Sequence, residues 1–235
     1  MKKRIDLSMS TQPDDLTCGP TCLHSIYQYY RDPIELTAVI DEVEMLEEGG
    51  TLAANLGCHA LVRGYQAVIH CFNLMIFDPT WFDLSGEDLK KKLRKQLEVK
   101  THPKLRVGIE GYLRFLDLGG KLLFEDLNPS LLGRYVSKKI PIITGLSATH
   151  LYRCSRENPE TSVYDDIGGE PAGHFVILTG YGEDFQEVIV GDPLSPNPLS
   201  AEYEYPVEIH HLISSILLGV VTYDANLLVI QPKNN

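Results

Sequence analysis

Two apolar runs near the end of the chain constrain the fold most, because a short polar turn joins them. The runs are His174–Tyr181 and Glu187–Val190, and the residues between them, 182–186, are Gly-Glu-Asp-Phe-Gln. Two strands this close in sequence pair as an antiparallel hairpin. Since His174 opens the first strand and Asp192 follows the second, the hairpin brings both side chains to one end of a sheet.

The rest of the chain carries both helix and strand patterns. Strand-forming runs cover about 65–72, 74–77, 121–124, 141–144 and 226–230. Helical patterns cover about 17–30, 37–48, 51–63, 107–118, 129–138 and 206–218, and another helix begins at the capping pair Ser85 and Asp88. Residues 158–173 are polar and rich in glycine, which is typical of a surface loop. The sequence therefore predicts an α+β fold.

Nothing in the sequence divides the chain into separate units. Its 235 residues contain no internal repeat, flexible linker or low-complexity tract, and 43% of them are hydrophobic. A chain of this length can build a core without disulfides or metal ions. We therefore predict one domain, residues 1–235, with an insertion around residues 80–125 that carries a basic amphipathic helix.

Charge and hydropathy exclude two classes of partner. With 21 Lys and Arg against 32 Asp and Glu, the net charge is −11, the wrong sign for binding nucleic acid or an anionic lipid surface. The most apolar stretch, Leu212–Tyr223, is shorter than the ~20 residues of a transmembrane helix, and no signal-peptide pattern follows Met1. Five cysteines without an export signal indicate reduced thiols. We expect a cytoplasmic protein that binds neither nucleic acid nor membrane.

One segment runs against the overall acidic charge. Residues 83–106 hold eight basic and four acidic side chains, and Leu89, Leu93 and Leu97 form an apolar stripe along the helix predicted there. A solvated basic face is the simpler interpretation of this segment. The alternative is a docking surface for an acidic partner around Lys90–Lys95.

Cys18 is placed where a helix can activate a thiol. Thr17 is a candidate N-cap, so Cys18 lies in the first turn, where free backbone N–H groups and the helix dipole stabilise a thiolate. Gly19 leaves the N–H of Cys18 accessible, and the carboxamide of Gln12 can supply a second donor to an oxyanion. The alternative is a buried, inert cysteine, the usual state of a free cysteine in proteins.

Other polar residues have simpler structural explanations. His174 alone is compatible with a hydrogen-bonded structural histidine, and Asp192 alone with the start of a turn. Asp14 and Asp15 fit a solvated turn. No metal or other cofactor is expected, because two possible zinc half-sites lack a second ligand pair; they are Cys18-x3-Cys22 with His24, and His150-x3-Cys154. Two adjacent pairs are interpreted as structural, Cys58-His59 and His70-Cys71.

Residues 12–22 resemble the nucleophile segment of papain-like cysteine peptidases. That segment places a glutamine six residues before the cysteine and a glycine after it, as Gln12, Cys18 and Gly19 do here. The likeness is most specific to family thirty-nine of the cysteine peptidases, the bacteriocin-processing or double-glycine leader peptidases. In that family one strand opens with Gly-His-Phe and a second strand ends in Asp-Pro, which correspond to 173–175 and 192–193 here.

The resemblance implies a papain-like α+β fold with the active site between a helical side and a mostly antiparallel sheet. It implies Cys18 as the nucleophile and His174 as the base. Asp192 would orient the base, and Gln12 would donate to the oxyanion. The expected activity is hydrolysis of a peptide or amide bond through a thioester. Acyl or peptidyl transfer, small-molecule amidase activity and a non-catalytic binding module are the alternatives.

Two features depart from the family pattern. His174 follows Cys18 by 156 residues, a longer separation than in the compact leader peptidases, so the family's substrate choice is not carried over. Those peptidases are commonly fused to a transporter, whereas we expect this chain to act without one. The sequence leaves open the substrate, the oligomeric state and whether the loop 158–173 acts as a lid.

Overall fold

A computed structural model describes residues 3–47, 49–159, 161–182, 184 and 186–233. These residues form one sheet of eight strands, which are β1 (Lys3–Arg4), β2 (Tyr65–Cys71), β3 (Lys121–Leu123), β4 (Ile142–Ser147), β5 (Gly173–Tyr181), β6 (Glu187–Gly191), β7 (Glu204–Glu208) and β8 (Asn226–Pro232). The helices are α1 (Cys18–Tyr29), α2 (Leu36–Glu42), α3 (Ala53–Val62), α4 (Gly86–Val99), α5 (Pro103–Asp117), α6 (Pro129–Val136), α7 (Ala148–Tyr152) and α8 (Ile209–Leu218). Two 3₁₀ turns cover Pro79–Trp81 and Gly219–Thr222.

β8, the last strand in sequence, lies inside the sheet between β2 and β4. The strands run in the order β3-β2-β8-β4-β5-β6-β7, and β1 pairs with the end of β5. Neighbouring strands are antiparallel, except that β2 and β3 are parallel. β4 is buried along its whole length, and so is β5 after Gly173. Strands covered on both faces need successive apolar side chains, and the run Phe175–Leu178 meets that requirement.

Helices cover this sheet. α1 packs against β5, α3 against β2, and α8 against β4. α5 packs on α3, and α4 packs on α5, so the basic helix belongs to an outer layer. No helix in the described ranges has both the length and the apolar character needed to cross a lipid bilayer.

The hairpin predicted from the two apolar runs is confirmed. β5 and β6 pair antiparallel, with Ile177 opposite Gly191 and Leu178 opposite Val190. The prediction of an α+β fold with a mostly antiparallel sheet is also confirmed. The 158–173 loop contains no helix or long strand among its described residues, as its composition predicts.

Two predictions of local structure in the first third of the chain are wrong. Residues 74–77 form a turn rather than a strand, because the Asn73 side chain accepts a hydrogen bond from the N–H of Met75, which bends the chain. The helix predicted over 37–48 ends at Glu42, and Val43 is already extended.

Two further predictions about helix ends are wrong. Thr17 occupies the N-cap position of α1, but its hydroxyl donates to the carbonyl oxygen of Asp14 and does not cap the helix. The helix predicted over 206–218 divides into β7 and α8. The carboxylate of Glu208 ends the strand and caps α8 by accepting from the N–H groups of His210 and His211.

Residues 80–125 comprise α4, α5 and β3. The capping pair is confirmed, since Ser85 Oγ accepts a hydrogen bond from the N–H of Asp88. Several basic side chains of α4 form ion pairs within the chain, among them Lys90 with Glu87 and Asp117, and Lys91 with Asp88. The single domain, the insertion and the acidic partner near Lys90–Lys95 stay predictions.

Gly57 allows α3 and α5 to pack closely. A Cβ at this position would lie 2.6 Å from a ring carbon of Phe115. We expect Gly57→Ala to lower the free energy of unfolding by about 1–3 kcal/mol, because the added methyl overpacks the interface. Urea denaturation measures this change.

Gly86→Ala is the matched control, since nothing lies within 4 Å of a Cβ built there. This position begins α4, so the control should keep or raise stability by up to about 1 kcal/mol. Equal stability of the two variants would contradict the close packing of α3 on α5.

Candidate active site

The first turn of α1 lies against the start of β5. Cys22 donates its thiol hydrogen to the carbonyl oxygen of Phe175, with the sulfur and oxygen 3.4 Å apart. Residues four apart in a helix share a face, so Cys18 lies on this same face, one turn nearer the helix start. The packing that joins Cys22 to Phe175 therefore brings Cys18 to His174.

This close approach depends on Gly19. A Cβ there would lie 2.7 Å from Cγ2 of Thr51 and 3.2 Å from a ring carbon of Phe175. Any larger side chain would push the start of α1 away from β5. Gly19 therefore has a packing role in addition to the accessible N–H inferred from its place after Cys18.

His174 and Asp192 are in direct contact. Nε2 of His174 lies 2.8 Å from Oδ1 of Asp192, and both side chains are buried. The imidazole also forms a hydrogen bond with Cys18, for which Nδ1 is the remaining ring nitrogen. Burial alone lowers the pKa of His174, but the charge of Asp192 and the neighbouring Cys18 outweigh burial and raise this pKa to about 10. The site therefore favours an imidazolium beside the Asp192 carboxylate.

Four hydrogen bonds hold the buried carboxylate of Asp192. The hydroxyls of Tyr152 and Tyr205 donate to Oδ2 at 2.7 and 2.6 Å, and the N–H of Leu194 and Nε2 of His174 both contact Oδ1. Burial alone raises the pKa of Asp192, but His174 and the two hydroxyls outweigh burial and hold this pKa below its usual range. Asp192 therefore remains a carboxylate that fixes the orientation of His174.

Sequence reasoning missed both tyrosines. Tyr152 lies on α7 and Tyr205 on β7, and neither element was among those predicted. A signal for β7 was present, because polar and apolar residues alternate in Glu-Tyr-Pro-Val-Glu, 204–208. The five-residue α7 is too short for any helical periodicity to be seen.

Gln12 is anchored beside the segment that follows Asp192. Its backbone N–H donates to the carbonyl oxygen of Pro193 at 3.0 Å. Its side-chain Nε2 donates to the carbonyl oxygen of Asp14 at 2.9 Å, which uses one of its two amide hydrogens. Oε1 of Gln12 is buried and accepts no hydrogen bond from any described residue. One N–H of the carboxamide is thus left for another acceptor.

A cleft of about 620 Å³ opens beside Cys18 and His174. Described residues of the loop after Glu157 contribute to its wall, together with Leu46 and residues 49–51. Burial raises the pKa of Asp224, which also lines the cleft, to about 7. Among the described lining residues, Asp15, Glu157, Glu170 and Asp224 are acidic, and Lys104 and His174 are basic. The cleft is large enough for several residues of a peptide.

The other four cysteines differ from Cys18 in their surroundings. Burial raises the pKa of Cys58 to about 11 and that of Cys71 to about 12. Burial also raises the pKa values of Cys22 and of the half-buried Cys154. These four side chains are therefore neutral thiols at pH 7, and they form hydrogen bonds with backbone carbonyl oxygens or, for Cys71, with the hydroxyl of Tyr112.

The histidines of the two half-sites considered for zinc have other partners. His24 contacts the hydroxyl of Ser10 and the carbonyl oxygen of Ile34, and His150 contacts the hydroxyl of Ser215. Within the part of the chain that the structure describes, no three His, Cys, Asp or Glu side chains are grouped to hold a metal ion.

Comparison with known proteins finds a family model that is similar to part of this chain. The Peptidase_C39 like family matches residues 129–214, a stretch that contains His174 and Asp192 and begins after Cys18. No curated protein matches the sequence at a significant level.

Several solved structures are similar over nearly the whole chain. A protein assigned as a C39-like peptidase from Bacillus anthracis is 14% identical, with all of both chains covered and a TM-score of 0.50. A double glycine motif protease from an AMS/PCAT transporter, in complex with the leader peptide, is 14% identical over 99% of both chains, with a TM-score of 0.45. The peptidase domain of Streptococcus ComA, a bifunctional ABC transporter involved in a quorum-sensing pathway, is 14% identical, covering 96% of this chain and 98% of that one, with a TM-score of 0.44.

The resemblance to the C39 peptidases predicted from the sequence is therefore confirmed, and the chain has their papain-like α+β fold. At 14% identity the likeness establishes the fold. The roles of individual residues depend on the geometry of the site.

The hydroxyl of Tyr205 should contribute measurably to the free energy of unfolding. We expect Tyr205→Phe to lower the free energy of unfolding by about 1.5–3 kcal/mol, because it removes a hydrogen bond to a buried charge. Urea denaturation measures the change. Tyr203→Phe is the control, since it removes a hydroxyl that bonds the exposed Thr11, and it should cost no more than about 0.5 kcal/mol. An equal loss in both variants would rule out a special role for the bond to Asp192.

Proposed function

We propose that this protein is a cysteine-dependent hydrolase of peptide or amide bonds, with Cys18, His174 and Asp192 as its catalytic triad. The observation that carries the proposal is the chain of contacts from the Cys18 thiol through the His174 ring to the buried Asp192 carboxylate. A nucleophile, a base and a group that orients the base, each within hydrogen-bond reach of the next, suit acyl transfer.

The first half of the reaction forms a thioester. His174 holds the proton of Cys18, and the thiolate attacks the carbonyl carbon of the scissile bond to give a tetrahedral oxyanion. The oxyanion collapses as the C–N bond breaks, and the His174 imidazolium gives its proton to the leaving amine. The raised pKa of His174, about 10, keeps that proton on the ring until the amine takes it.

The second half of the reaction regenerates the enzyme. His174, now neutral, takes a proton from a water molecule that attacks the thioester carbonyl. The C–S bond breaks, the acid product leaves, and Cys18 again shares the proton with His174. Asp192 keeps Nε2 of the ring protonated throughout, which leaves Nδ1 to exchange the proton with the sulfur and the substrate.

The oxyanion has two donors in this proposal. The N–H of Cys18 lies in the first turn of α1, where backbone N–H groups have no partner within the helix. The carboxamide of Gln12 supplies the second donor through the hydrogen that Asp14 does not accept. Both donors belong to fixed backbone or to a side chain anchored at both ends, which favours preorganised stabilisation of the developing charge.

The triad predicts selective chemistry at Cys18. Iodoacetamide at pH 6 should alkylate Cys18 well before the other four thiols, because the adjacent imidazolium stabilises a thiolate there.

Cys18→Ala and His174→Ala should each reduce turnover by ~10³ or more, because each removes a member of a unit that acts together. Mass spectrometry follows both reactions, with a mixture of unfolded peptides as the substrate.

Two variants control for nonspecific effects of these substitutions. Cys154→Ala removes a half-buried thiol, and His210→Ala removes an exposed histidine; neither side chain lies at the cleft. Both should keep wild-type turnover. Full activity in Cys18→Ala or His174→Ala would refute the mechanism. Rapid alkylation of Cys18 without any peptide cleavage would favour a binding module that keeps the fold.

Gln12 is tested by separating turnover from thiol reactivity. Gln12→Ala should lower the chemical rate by ~10²–10³, the usual loss for one oxyanion donor, while Cys18 still alkylates at the wild-type rate. Gln12→Glu should be at least as damaging, since a carboxylate has no hydrogen to donate. Gln66→Ala, on an exposed position of β2, is the control. If Gln12→Ala slows alkylation as much as turnover, Gln12 positions Cys18 and does not bind the oxyanion.

A further inference from the structure

A second pocket, of about 480 Å³, lies next to the catalytic cleft and differs from it in charge. We call it the basic pocket, and it is formed by Ser147, Thr149, His150, Arg153, Arg156, Pro171, His211, Leu218 and Val221. Among the described residues that line it there is no Asp or Glu, although the chain as a whole has a net charge of −11. The two sites share Pro171, and Ser147 pairs with Gly173, the residue before His174. We propose that the basic pocket binds a small organic phosphate ester.

The two imidazoles of the pocket are stacked, with ring centroids 4.7 Å apart. Their hydrogen bonds define which nitrogens carry hydrogen. Ser215 donates its hydroxyl hydrogen to the carbonyl oxygen of His211, so Nδ1 of His150 must donate to Ser215 Oγ. Nε2 of His211 must likewise donate to the carbonyl oxygen of Leu151. Nε2 of His150 and Nδ1 of His211 are therefore the nitrogens available to a ligand.

Two guanidinium groups face the same space. Arg153 follows α7 with φ at +53°, a left-handed conformation that is uncommon for a residue other than glycine, and no described residue pairs with its guanidinium. Arg156 is held in place because it donates to the carbonyl oxygens of Asp166 and Ile167. One free and one fixed guanidinium, each a planar donor group, match the oxygens of a phosphoryl group.

The remaining wall of the pocket is apolar. Leu218 and Val221 are 43% and 54% exposed, and Pro171 adjoins them in the lining. An inorganic anion would leave these side chains in water. An ester with a flat or aliphatic group would cover them while its phosphoryl group reaches the arginines and histidines.

Protonation is part of this binding. Burial lowers the pKa of His150, and the charges of His211 from α8 and Arg153 after α7, which face it, lower this pKa further. The ring is therefore neutral at pH 7.5, where a phosphate monoester is mostly a dianion. A lone pair on Nε2 of His150 cannot donate to a phosphoryl oxygen. Binding of the dianion should therefore take up a proton from solvent.

Titration calorimetry with phenyl phosphate at pH 7.5 tests the proposal. Phenyl phosphate should bind to the wild-type protein at least several-fold more tightly than inorganic phosphate, and phenol should not bind measurably at the same concentrations. In two buffers of different ionisation enthalpy, the heats should differ by the amount that a net proton uptake requires. Absence of binding, or of any proton uptake, would overturn the proposal.

Arg153→Ala should weaken phenyl phosphate binding at least about tenfold, because it removes a charged donor. Arg31→Ala is a close control, since Arg31 is also exposed, also follows a helix and also has a positive φ, +59°. Arg31→Ala should bind like the wild type. Equal affinities for the two variants would mean that the ester binds elsewhere.

A last variant separates the basic pocket from the catalytic site. Cys18→Ala should bind phenyl phosphate like the wild type, whereas Arg153→Ala should keep the thiol reactivity of Cys18. Loss of binding in Cys18→Ala would place the ester in the catalytic cleft and refute a separate pocket. This outcome does not depend on whether the protein hydrolyses peptides.

Discussion

A carboxylate with no access to solvent governs how this site is built. Removing a partner from a buried ion pair costs about 3–5 kcal/mol, so Asp192 can be buried only where donors surround it. The side-chain donors come from three elements: His174 from β5, Tyr152 from α7 and Tyr205 from β7. β5 and β7 flank β6, which ends immediately before Asp192. The antiparallel arrangement of these strands is therefore as necessary to the carboxylate as the donors themselves.

Sequence reasoning succeeded where a local pattern and a short connection acted together. The hairpin of β5 and β6 could be predicted because its strands are apolar, a short turn joins them, and pairing at that distance has few alternatives. The contact of His174 with Asp192 followed from the hairpin. The position of Cys18 at a helix start followed from its surroundings, although the expected cap by Thr17 did not form. Cys18 and His174 are 156 positions apart, and no local pattern predicts that they lie together. Only the family resemblance led to that prediction.

The errors occurred where tertiary contacts overrode local propensity. Residues 74–77 carry a strand pattern, but a side-chain hydrogen bond from Asn73 turns them while Ile76 and Phe77 still enter the core. The helix predicted over 206–218 included part of β7, because Val207 and Ile209 continue an apolar pattern across the cap at Glu208. Because β7 was not predicted, Tyr205 was not identified as a partner of Asp192. Polar partners of a buried charge are hard to find in general, because a tyrosine in a short element has no periodic signal of its own.

The position of β8 inside the sheet has a consequence for when the sheet forms during synthesis. β8 pairs with β2 on one side and with β4 on the other, so it joins the β3-β2 pair to the remaining strands, yet it follows all the other strands in sequence. While a ribosome is still making the chain, α1 with Cys18 has already emerged, but the sheet has no continuous centre against which to order. Contacts this distant in sequence form slowly and together. The packing of α1 on β5 is therefore completed late, after β8 has been made.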